Sequence, residues 1–397
     1  MDYSKIKVIY YDSTEINLDN IIWGLLQLGM NVSRSKLRVN LTQSVPEEIE
    51  TIKKELVNYQ YAITQNFSVN VAAACYDLQM PYISWVYDSP QIALYSKFAQ
   101  YDTNFVFAFD KNQVVRLKNI GLKNVYHMPL AANIAYVSTI NITKDDIRKY
   151  RADVAFVGQL YRQWYMSDFF KKIPPKTLEE LHLKAEEKAL LWGPDISIFN
   201  SISDESAQVI AAFMDEEGFD DYCVDKKFGE EVMLLAPLIA QLERKTLLKL
   251  SGEKFRTALY TKESDYEYAA ENIPGVKIFG PVRHEEPYKV YYSTKLNLNI
   301  SYRCIETGAP QRIFDIMSVG GTVISNYQKE LEELFEPDKE IILFNSSEEF
   351  IDKAQFYLDH STAREKIRIA GYNKVKNNYT YPIALSTMFD IVSKSTQ

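Results

Sequence analysis

Residues 297–326 constrain the fold more than any other stretch of this 397-residue chain. The pattern predicts a strand that ends in NLNIS, a polar loop, a short amphipathic helix from about Pro310, and a second strand, TVISN, after the pair Gly320–Gly321. Two parallel strands need a crossover connection between them, and a helix is the usual one. The stretch therefore predicts a βαβ unit in a parallel sheet with helices on its faces.

The same unit carries the chemistry of an anion site. Its loop contains Glu306 and Gly308, its helix has Arg312 in the first turn, and Asp315 follows one turn later. Unpaired backbone N–H groups at a helix start attract an anion, and an arginine there adds a fixed positive charge. An aspartate one helical turn beyond this anion site can accept hydrogen bonds from sugar hydroxyls. The unit therefore suits a nucleotide-sugar, although an ordinary turn with incidental charges has the same pattern.

The first 140 residues alternate strands and helices. KIKVIYY predicts a strand that ends at Asp12, residues 18–32 predict a helix, and NFVFAF is a near-continuous apolar run typical of a strand buried on both faces. In a parallel sheet, ligands bind beyond the carboxyl ends of the strands. Asp12, Asn66 and Asp88 all follow predicted strands, and Asp88 in WVYDSP is the strongest candidate. The alternative for Asp88 is a turn in which its carboxylate caps the backbone.

A second series of strands and helices starts near residue 151. DVAFVGQLYRQ predicts a strand followed by a turn that contains Gly158 and Arg162, but a single glycine is a weak signal. Residues 172–247 are mostly helical and predict an insertion into this second half. Strands resume with FRTALYT and VKIFGPV, and two long helical segments close the chain.

Two of these segments resemble one family. The strand end LNI, then Gly308, Arg312 and the pair FD before a small-residue turn, resemble the donor-binding stretch of GT-B glycosyltransferases, specifically of the CgeB-like (spore-maturation-protein type) family. WVYDSP resembles a motif at the corresponding place in the same family. The chain departs from the family at Asp315, where Glu is usual. Eight residues also separate Glu306 from Asp315, whereas many retaining enzymes have seven.

The resemblance implies an α/β chain with the GT-B fold, in which two Rossmann-like domains with parallel sheets face each other across a cleft. We expect residues 1–140 to form the N-terminal acceptor-side domain. Residues 151–375 are expected to form the nucleotide-sugar-binding domain, with the helical insertion at 172–247. Residues 376–397 are expected to form a helix that crosses back to the first domain.

The implied activity is transfer of a sugar from a UDP-, GDP- or dTDP-linked donor to a protein, glycan or other cell-surface precursor, with retention of anomeric configuration. By the same resemblance, Asp88 faces the donor sugar as the catalytic residue. Gly158 and Arg162 stand where relatives bind the diphosphate, and Arg283 lies in a loop that packs on the nucleotide base. The expected donor-binding set is Gly158, Arg162, Arg283, Glu306, Gly308, Arg312 and Asp315.

Composition and charge exclude other classes. A net charge of −8 argues against a general nucleic-acid binder. The chain has no Asp-x-Asp triplet, and its four histidines and three cysteines lack metal-ligand spacing, so we expect metal-independent transfer without a cofactor. No run of 18 apolar residues and no export signal are present, which predicts a cytoplasmic protein without a transmembrane segment.

Three other functions fit the same pattern. A GT-B-like chain that has lost its chemistry could serve as a binding or scaffolding protein, and the departure at Asp315 leaves room for it. A nucleotide-sugar epimerase of the same fold would need carboxylate or histidine catalysts that the sequence does not identify. A two-lobed small-molecule binding protein is the third alternative.

Overall fold

The computed structural model describes residues 2–13, 19–162, 168–193, 196–216 and 226–395. Within these residues the chain forms two sheets of six strands each, and every strand pair in both sheets is parallel. Helices connect consecutive strands and cover the sheets, as expected for strands that are buried on both faces. This arrangement confirms the predicted α/β class with two parallel sheets.

The first sheet has the strand order β2-β1-β3-β4-β5-β6. Its strands are β1 Lys7–Asp12, β2 Asn31–Arg38, β3 Tyr61–Gln65, β4 Tyr82–Val86, β5 Asn104–Ala108 and β6 Val125–His127. The helices between these strands are α1 Asp19–Gln27, α2 Pro46–Leu56, α3 Val69–Asp77 and α4 Lys111–Asn119. A 3-10 turn, Tyr3–Lys5, precedes β1, and two more, Ile92–Tyr95 and Lys97–Gln100, lie between β4 and β5. The central strands β4 and β5 are buried along their whole length, which explains their near-continuous apolar sequence.

The second sheet has the strand order β12-β11-β10-β7-β8-β9. Its strands are β7 Val154–Val157, β8 Thr257–Tyr260, β9 Val276–Phe279, β10 Leu296–Asn299, β11 Val323–Asn326 and β12 Ile342–Phe344. Helices α5 Ile134–Thr139 and α6 Lys144–Tyr150 lead into this sheet. Between β7 and β8 the described residues are largely helical: α7 Asp168–Lys172, α8 Pro175–Ala189, α9 Asp204–Glu216, α10 Lys226–Glu230, a π-helical turn Glu231–Leu235 and α11 Ala236–Lys254.

The remaining helices complete the second half and return to the first. They are α12 Tyr266–Asn272 (after the 3-10 turn Glu263–Asp265), α13 Glu286–Ser293, α14 Gln311–Ser318, α15 Lys329–Leu334, α16 Ser347–Asp359, α17 Ser361–Asn378 and α18 Tyr381–Ser395. The last helix, α18, packs against the first sheet. The rings of Trp85 and Tyr381 are 5.3 Å apart, and those of Tyr61 and Phe389 are 5.2 Å apart. The largest buried cluster therefore contains residues of both halves.

One predicted helix is too long at its C-terminal end. The sequence predicts a helix over residues 18–32, but α1 ends at Gln27 and Asn31 already belongs to β2, which the sequence did not predict. Gly29 has a φ of 80°, a conformation that glycine adopts readily and that ends a helix. Most side chains of β2 are exposed or half-buried, so this edge strand lacks the apolar run that identified its neighbours.

The strand orders fix where a ligand can enter. In the second sheet the chain builds outward from β7 through β8 to β9, and then starts again on the other side of β7 with β10. Strands β7 and β10 therefore form the switch point, and a crevice opens beyond their carboxyl ends. In the first sheet, β1 and β3 form the equivalent switch point.

A cluster of buried acidic side chains joins the two halves. Thr307, in the loop between β10 and α14, has its hydroxyl 2.8 Å from Asp110 Oδ1 and 2.8 Å from Glu330 Oε1. Asp110 Oδ2 also accepts the Glu306 N–H at 2.8 Å, and Glu330 Oε2 lies 2.6 Å from His127 Nε2. Asp110 and His127 belong to the first half, so this cluster sets the position of the β10–α14 loop against the first sheet.

Gly24 in α1 provides a test of the packing of α18. A Cβ at Gly24 would lie 2.6 Å from Leu385 Cδ1 and 2.9 Å from Tyr381 Cβ. Alanine gains about 1 kcal/mol of helix propensity over glycine, but overpacking costs about 1–3 kcal/mol. We expect Gly24→Ala to lower the free energy of unfolding, as measured by urea denaturation. Leu385→Ala removes the contacted methyl but also a buried side chain, so the double variant should lose less stability than the sum of the two single variants. An alanine variant more stable than the wild type would contradict the contact.

Candidate functional site

The crevice between β7 and β10 contains a glycine and an arginine in contact. Gly158 directly follows β7, and a Cβ there would lie 3.0 Å from Arg312 Nη2 and 2.9 Å from Phe156 Cζ. Any larger residue would therefore push the guanidinium away from the strand end. The structure thus brings together two members of the predicted donor-binding set at the switch point.

Arg312 lies in the first turn of α14, as the sequence predicts. Its Nη1 donates to Asn299 Oδ1 at 2.9 Å, and its guanidinium lies 5.1 Å from the centre of the Phe156 ring. No carboxylate among the described residues forms an ion pair with it. Burial lowers the pKa of Arg312 from its usual value. Pro310 precedes the helix without a side-chain cap, so no capping side chain competes for the first N–H groups of α14.

The loop after β7 is held by an aspartate that sequence reasoning missed. Asp265 Oδ2 accepts the Leu160 N–H at 2.7 Å and the Thr261 hydroxyl at 2.6 Å, while Oδ1 accepts the Arg162 N–H at 3.2 Å. The backbone of Arg162 is therefore fixed, and its guanidinium lies 5.4 Å from the Tyr268 ring centre. Asp265 follows β8 in a turn without a motif, so nothing in the sequence pointed to it.

Arg244 is the second residue that the sequence did not identify. It lies on α11 and is 3% exposed, with its guanidinium 5.3 Å from the same Phe156 ring that Arg312 contacts. A signal was present, because residues 240, 244, 247, 248 and 251 share the buried face of the helix. Charged residues are rarely buried unless they are paired, so Arg244 stands out among the apolar residues of this face.

Asp315 lies one turn beyond Arg312 on α14. Its Oδ1 accepts from Gln311 Nε2 at 2.8 Å, and the same amide nitrogen lies 2.9 Å from the Ala131 carbonyl oxygen of the connection between the halves. The Tyr288 hydroxyl is 3.5 Å from Oδ1. Burial raises the pKa of Asp315 to about 6. A role in holding a ribose or sugar hydroxyl stays a prediction.

Glu306 and Gly308 lie where the β10–α14 loop meets the first half. Arg116 Nη2 of α4 is 2.5 Å from Glu306 Oε2, and the Ser197 hydroxyl is 3.3 Å from Oε1. Burial raises the pKa of Glu306, and the charge of Arg116 opposes that rise. Gly308 packs on Phe109, because a Cβ there would lie 2.7 Å from its ring. A cavity of about 260 Å³ lies beside Glu306 and Thr307.

Asp88 follows β4 at the carboxyl edge of the first sheet. Its Oδ2 accepts from Asn66 Nδ2 at 2.8 Å, and Asn66 Oδ1 accepts from the Tyr87 N–H at 2.8 Å. Asp88 is exposed as a residue, yet partial desolvation of its carboxyl raises its pKa, and the Asn66 amide opposes the rise. The next residue, Ser89, donates to Asp110 at 2.9 Å. Asp88 is therefore connected through Asp110 to the loop that carries Glu306.

Arg283, like Asp88, is an exposed member of the predicted site set. It follows β9, it is exposed, and its backbone N–H lies 3.3 Å from Glu286 Oε2. The structure shows no contact that joins Arg283 to Arg312 or Gly158 among the described residues. Its predicted role at the nucleotide base stays a prediction.

Two further properties concern the described part of the chain only. No three His, Cys, Asp or Glu side chains in it are grouped closely enough to hold a metal ion. Of the helices that the structure describes, none combines the length and the apolar character that a membrane crossing requires. Cys75 and Cys304 are buried free thiols, and Cys223 lies outside the described residues.

Comparison with known proteins identifies the fold. Residues 233–390 match a family model described as "Glycosyl transferase-like". A glycosyltransferase from Rickettsia africae ESF-5 is similar over 100% of both chains, with 12% identity and a TM-score of 0.60. Anabaena HepE, crystallised with UDP and glucose, covers 98% of this chain and 100% of its own, with 10% identity and a TM-score of 0.55.

Sucrose-phosphate synthase from Thermosynechococcus elongatus is similar over 98% of this chain and 99% of its own, with 10% identity and a TM-score of 0.56. None of the curated proteins matches this sequence. The two six-stranded parallel sheets and these similarities over the full length show that the chain has the GT-B fold. The predicted fold class is therefore confirmed.

The raised pKa of Asp315 predicts a pH-dependent stability. Because the folded state raises this pKa from its ordinary value of about 3.9 to about 6, the proton is held more tightly in the folded chain. That stabilisation is fully present below about pH 4 and is lost as the pH rises through 6. At pH 7.5 we expect Asp315→Asn to raise the free energy of unfolding by about 1–3 kcal/mol, with the difference shrinking toward pH 4.

Denaturation in urea between pH 4 and 8 measures this difference. Asp359→Asn is the matched control, because Asp359 also accepts from a glutamine four residues earlier in its helix, at 2.8 Å, but is exposed. The control should leave the pH dependence unchanged. An equal stability difference at pH 4 and pH 7.5 for Asp315→Asn would show that ionisation of Asp315 costs nothing.

Proposed function

We propose that this chain is a glycosyltransferase that moves a sugar from a nucleotide-sugar to an acceptor. The observation that carries the proposal is the Arg312 guanidinium, which has no carboxylate partner among the described residues and lies against Gly158 at the switch point. Arg312 is half-buried and has only the more distant charge of Asp315 to offset its own, so a bound phosphate would compensate it. The matching family model and the names of the similar structures support the same activity.

The donor would lie along the carboxyl edge of the second sheet. Its diphosphate would contact Arg312 and the first N–H groups of α14, while Gly158 leaves room for the phosphate beside β7. Arg162 is proposed as a further phosphate contact, and Arg283 as a contact of the base. As the sugar leaves, negative charge develops on the diphosphate, and these fixed donors stabilise it more than they stabilise the bound donor.

The sugar and the acceptor would lie toward the first half. Glu306, Gly308 and Asp315 are proposed to contact the donor, and Asp88 to face its sugar across the cleft. The guanidiniums of Arg312 and Arg162 near the diphosphate would supply the positive charge that a metal ion supplies in metal-dependent transferases. This supports the proposal of metal-independent transfer without a cofactor. HepE was crystallised in complex with UDP and glucose, so UDP-linked donors are the first to test, followed by GDP- and dTDP-linked ones.

Three finer points rest on the sequence resemblance. Membership of the CgeB-like group is supported by WVYDSP and GAPQRIFD, and it implies retention of anomeric configuration. The same resemblance favours a protein, glycan or other cell-surface precursor as the acceptor. The structure supplies the frame for these proposals, namely two parallel sheets whose switch points lie at their carboxyl edges.

A catalytically silent binding protein is the second candidate. Asp88 and Asp315 are each hydrogen-bonded by an amide of their own half of the chain, from Asn66 and Gln311. Carboxylates that are already satisfied are also found in structural roles. Such a protein would bind nucleotide-sugars without releasing the nucleotide, and this outcome separates the two candidates.

Arg312 should be essential for nucleotide release. Purified protein with UDP-, GDP- and dTDP-linked sugars in EDTA should release nucleotide, measured by chromatography. Arg312→Gln should weaken binding of the free nucleotide by about 10- to 100-fold, the effect of losing a charge-assisted hydrogen bond. Arg148→Gln is the control, because it removes a guanidinium whose side chain is 76% exposed.

Each contradictory outcome removes a different part of the proposal. Wild-type protein that binds none of the nucleotides would overturn the whole assignment. Release that needs added magnesium or manganese would contradict metal independence alone. Equal nucleotide affinity in the Arg312 and Arg148 variants would place the diphosphate elsewhere in the molecule.

Asp88→Asn separates a catalytic carboxylate from a structural one. Asparagine keeps the size and can still accept from Asn66, so nucleotide affinity and melting temperature should stay near those of the wild type. If the carboxylate acts on the sugar or acceptor, transfer should fall by about 100-fold or more. Asp102→Asn changes an exposed aspartate of the same half and serves as the control. Transfer at the wild-type rate would leave Asp88 a turn residue.

A further inference from the structure

Arg244 is a buried cation without a counter-ion. It is 3% exposed, and no carboxylate within the described residues forms an ion pair with it. Its sequence neighbour Glu243 forms an ion pair with Arg303, so the negative charge that also acts on Arg244 is shared between two cations, and one net positive charge remains. An isolated buried charge is strongly unfavourable, and folded proteins normally pair it or neutralise it. Arginine cannot be neutralised by losing a proton, so the charge persists.

The hydrogen bonds of Arg244 place its guanidinium in the crevice between β7 and β10. One nitrogen, Nη1, donates to the Gln159 carbonyl oxygen in the loop after β7, and Nη2 lies 3.4 Å from the Ile300 carbonyl oxygen after β10. These two carbonyls belong to the two strands of the switch point. A guanidinium has five N–H groups, and Nε is buried without a hydrogen-bond partner among the residues that the structure describes. Arg244 therefore has donor capacity left at the place where the fold admits a ligand.

Two guanidiniums share one ring at this place. The Arg244 and Arg312 guanidiniums lie 5.3 Å and 5.1 Å from the centre of the Phe156 ring, and Arg244 also lies 4.7 Å from the Tyr161 ring. The ring faces offset only a part of each charge. Burial and the nearby charge of Arg244 both lower the pKa of Arg312, as expected for two like charges in a poorly solvated place. An anion bound between the two guanidiniums would offset both charges.

We propose that Arg244 is the second cation of this anion site and that, with Arg312, it binds the two phosphates of a nucleoside diphosphate. The proposal rests on the proposed function, because it names a residue of the same donor site. It also gives the helical segment between β7 and β8 a role in binding, since α11 supplies one of the two charges. Two separate guanidiniums match two linked phosphates better than a single one, because each can form a bidentate contact.

The test uses inorganic pyrophosphate, UDP and uridine as probes in calorimetry at constant ionic strength. Arg244→Gln should weaken pyrophosphate and UDP binding by about tenfold or more, and leave uridine binding within about twofold, because uridine has no phosphate. Lys249→Gln is the matched control: it removes the same charge from the exposed face of α11 and should change none of the three affinities. An unchanged affinity of Arg244→Gln for pyrophosphate would overturn the proposal.

A purely structural Arg244 would give a different pattern. If it served only to hold the two strand ends, its loss would weaken uridine and UDP binding equally, and that result would also overturn the proposal. Arg244→Lys is the second variant if the Gln variant does not fold. Lysine keeps the charge but loses the planar fork, so pyrophosphate affinity should fall by about threefold or more. A folded lysine variant with wild-type affinity would contradict the bidentate contact.

The outcomes for Arg244 and for the proposed function are distinguishable. Wild-type protein that binds pyrophosphate through Arg244, but releases nucleotide from no nucleotide-sugar, would support the anion site and contradict the transferase. Release of nucleotide at equal rates in the wild type and in Arg244→Gln would support the transferase and contradict the role of Arg244 in the anion site.

Discussion

The contact between the two halves of the structure depends on the hydroxyl of Thr307, which two carboxylates share. The hydroxyl of Thr307 lies 2.8 Å from a carboxylate oxygen of Asp110 and 2.8 Å from one of Glu330, yet it has a single proton to donate. The two acids are held together because backbone N–H groups approach both of them, those of Glu306 and Lys111 among others. This arrangement fixes the β10–α14 loop, and the loop in turn decides where α14 begins. The position of Arg312 is thus set by contacts with the other half.

Charged side chains on both sides of the switch point of the second sheet lack an ion-pair partner among the described residues. At the second sheet, Arg244 and Arg312 form no ion pair with an acid among the described residues, and Glu243, beside Arg244 in sequence, is bound by Arg303. At α14, the carboxyl of Asp315 accepts from an amide and lies near a hydroxyl, and burial raises its pKa to about 6 although the charge of Arg312 opposes the rise. The chain therefore does not minimise its own electrostatic energy here. Local charge separation of this kind is typical of sites that are completed by a ligand.

Local patterns explain which parts of this molecule the sequence predicts. The βαβ unit at 297–326 is recognised from the spacing of its apolar residues and from its glycines, which are signals that span only a few residues. Arg312 could therefore be placed correctly in the first turn of a helix. The strand β2 was missed because an edge strand lacks a continuous apolar run. Arg244 and Asp265 were missed because their partners lie 85 and 105 residues away in the chain. The pairing of Arg116 with Glu306 spans 190 residues and has no local signal at all.

The return of α18 to the first sheet has a consequence for how this protein is made. The rings of Trp85 and Tyr61 in the first sheet are covered by Tyr381 and Phe389 of α18. A nascent chain that contains all six strands of the first sheet, but not yet α18, therefore exposes this apolar surface. The first half can close its core only after the ribosome has added the whole second half. We expect the newly made first half to be a client of chaperones during this interval, and a genetic split between the two sheets to yield fragments that must find each other in order to be soluble.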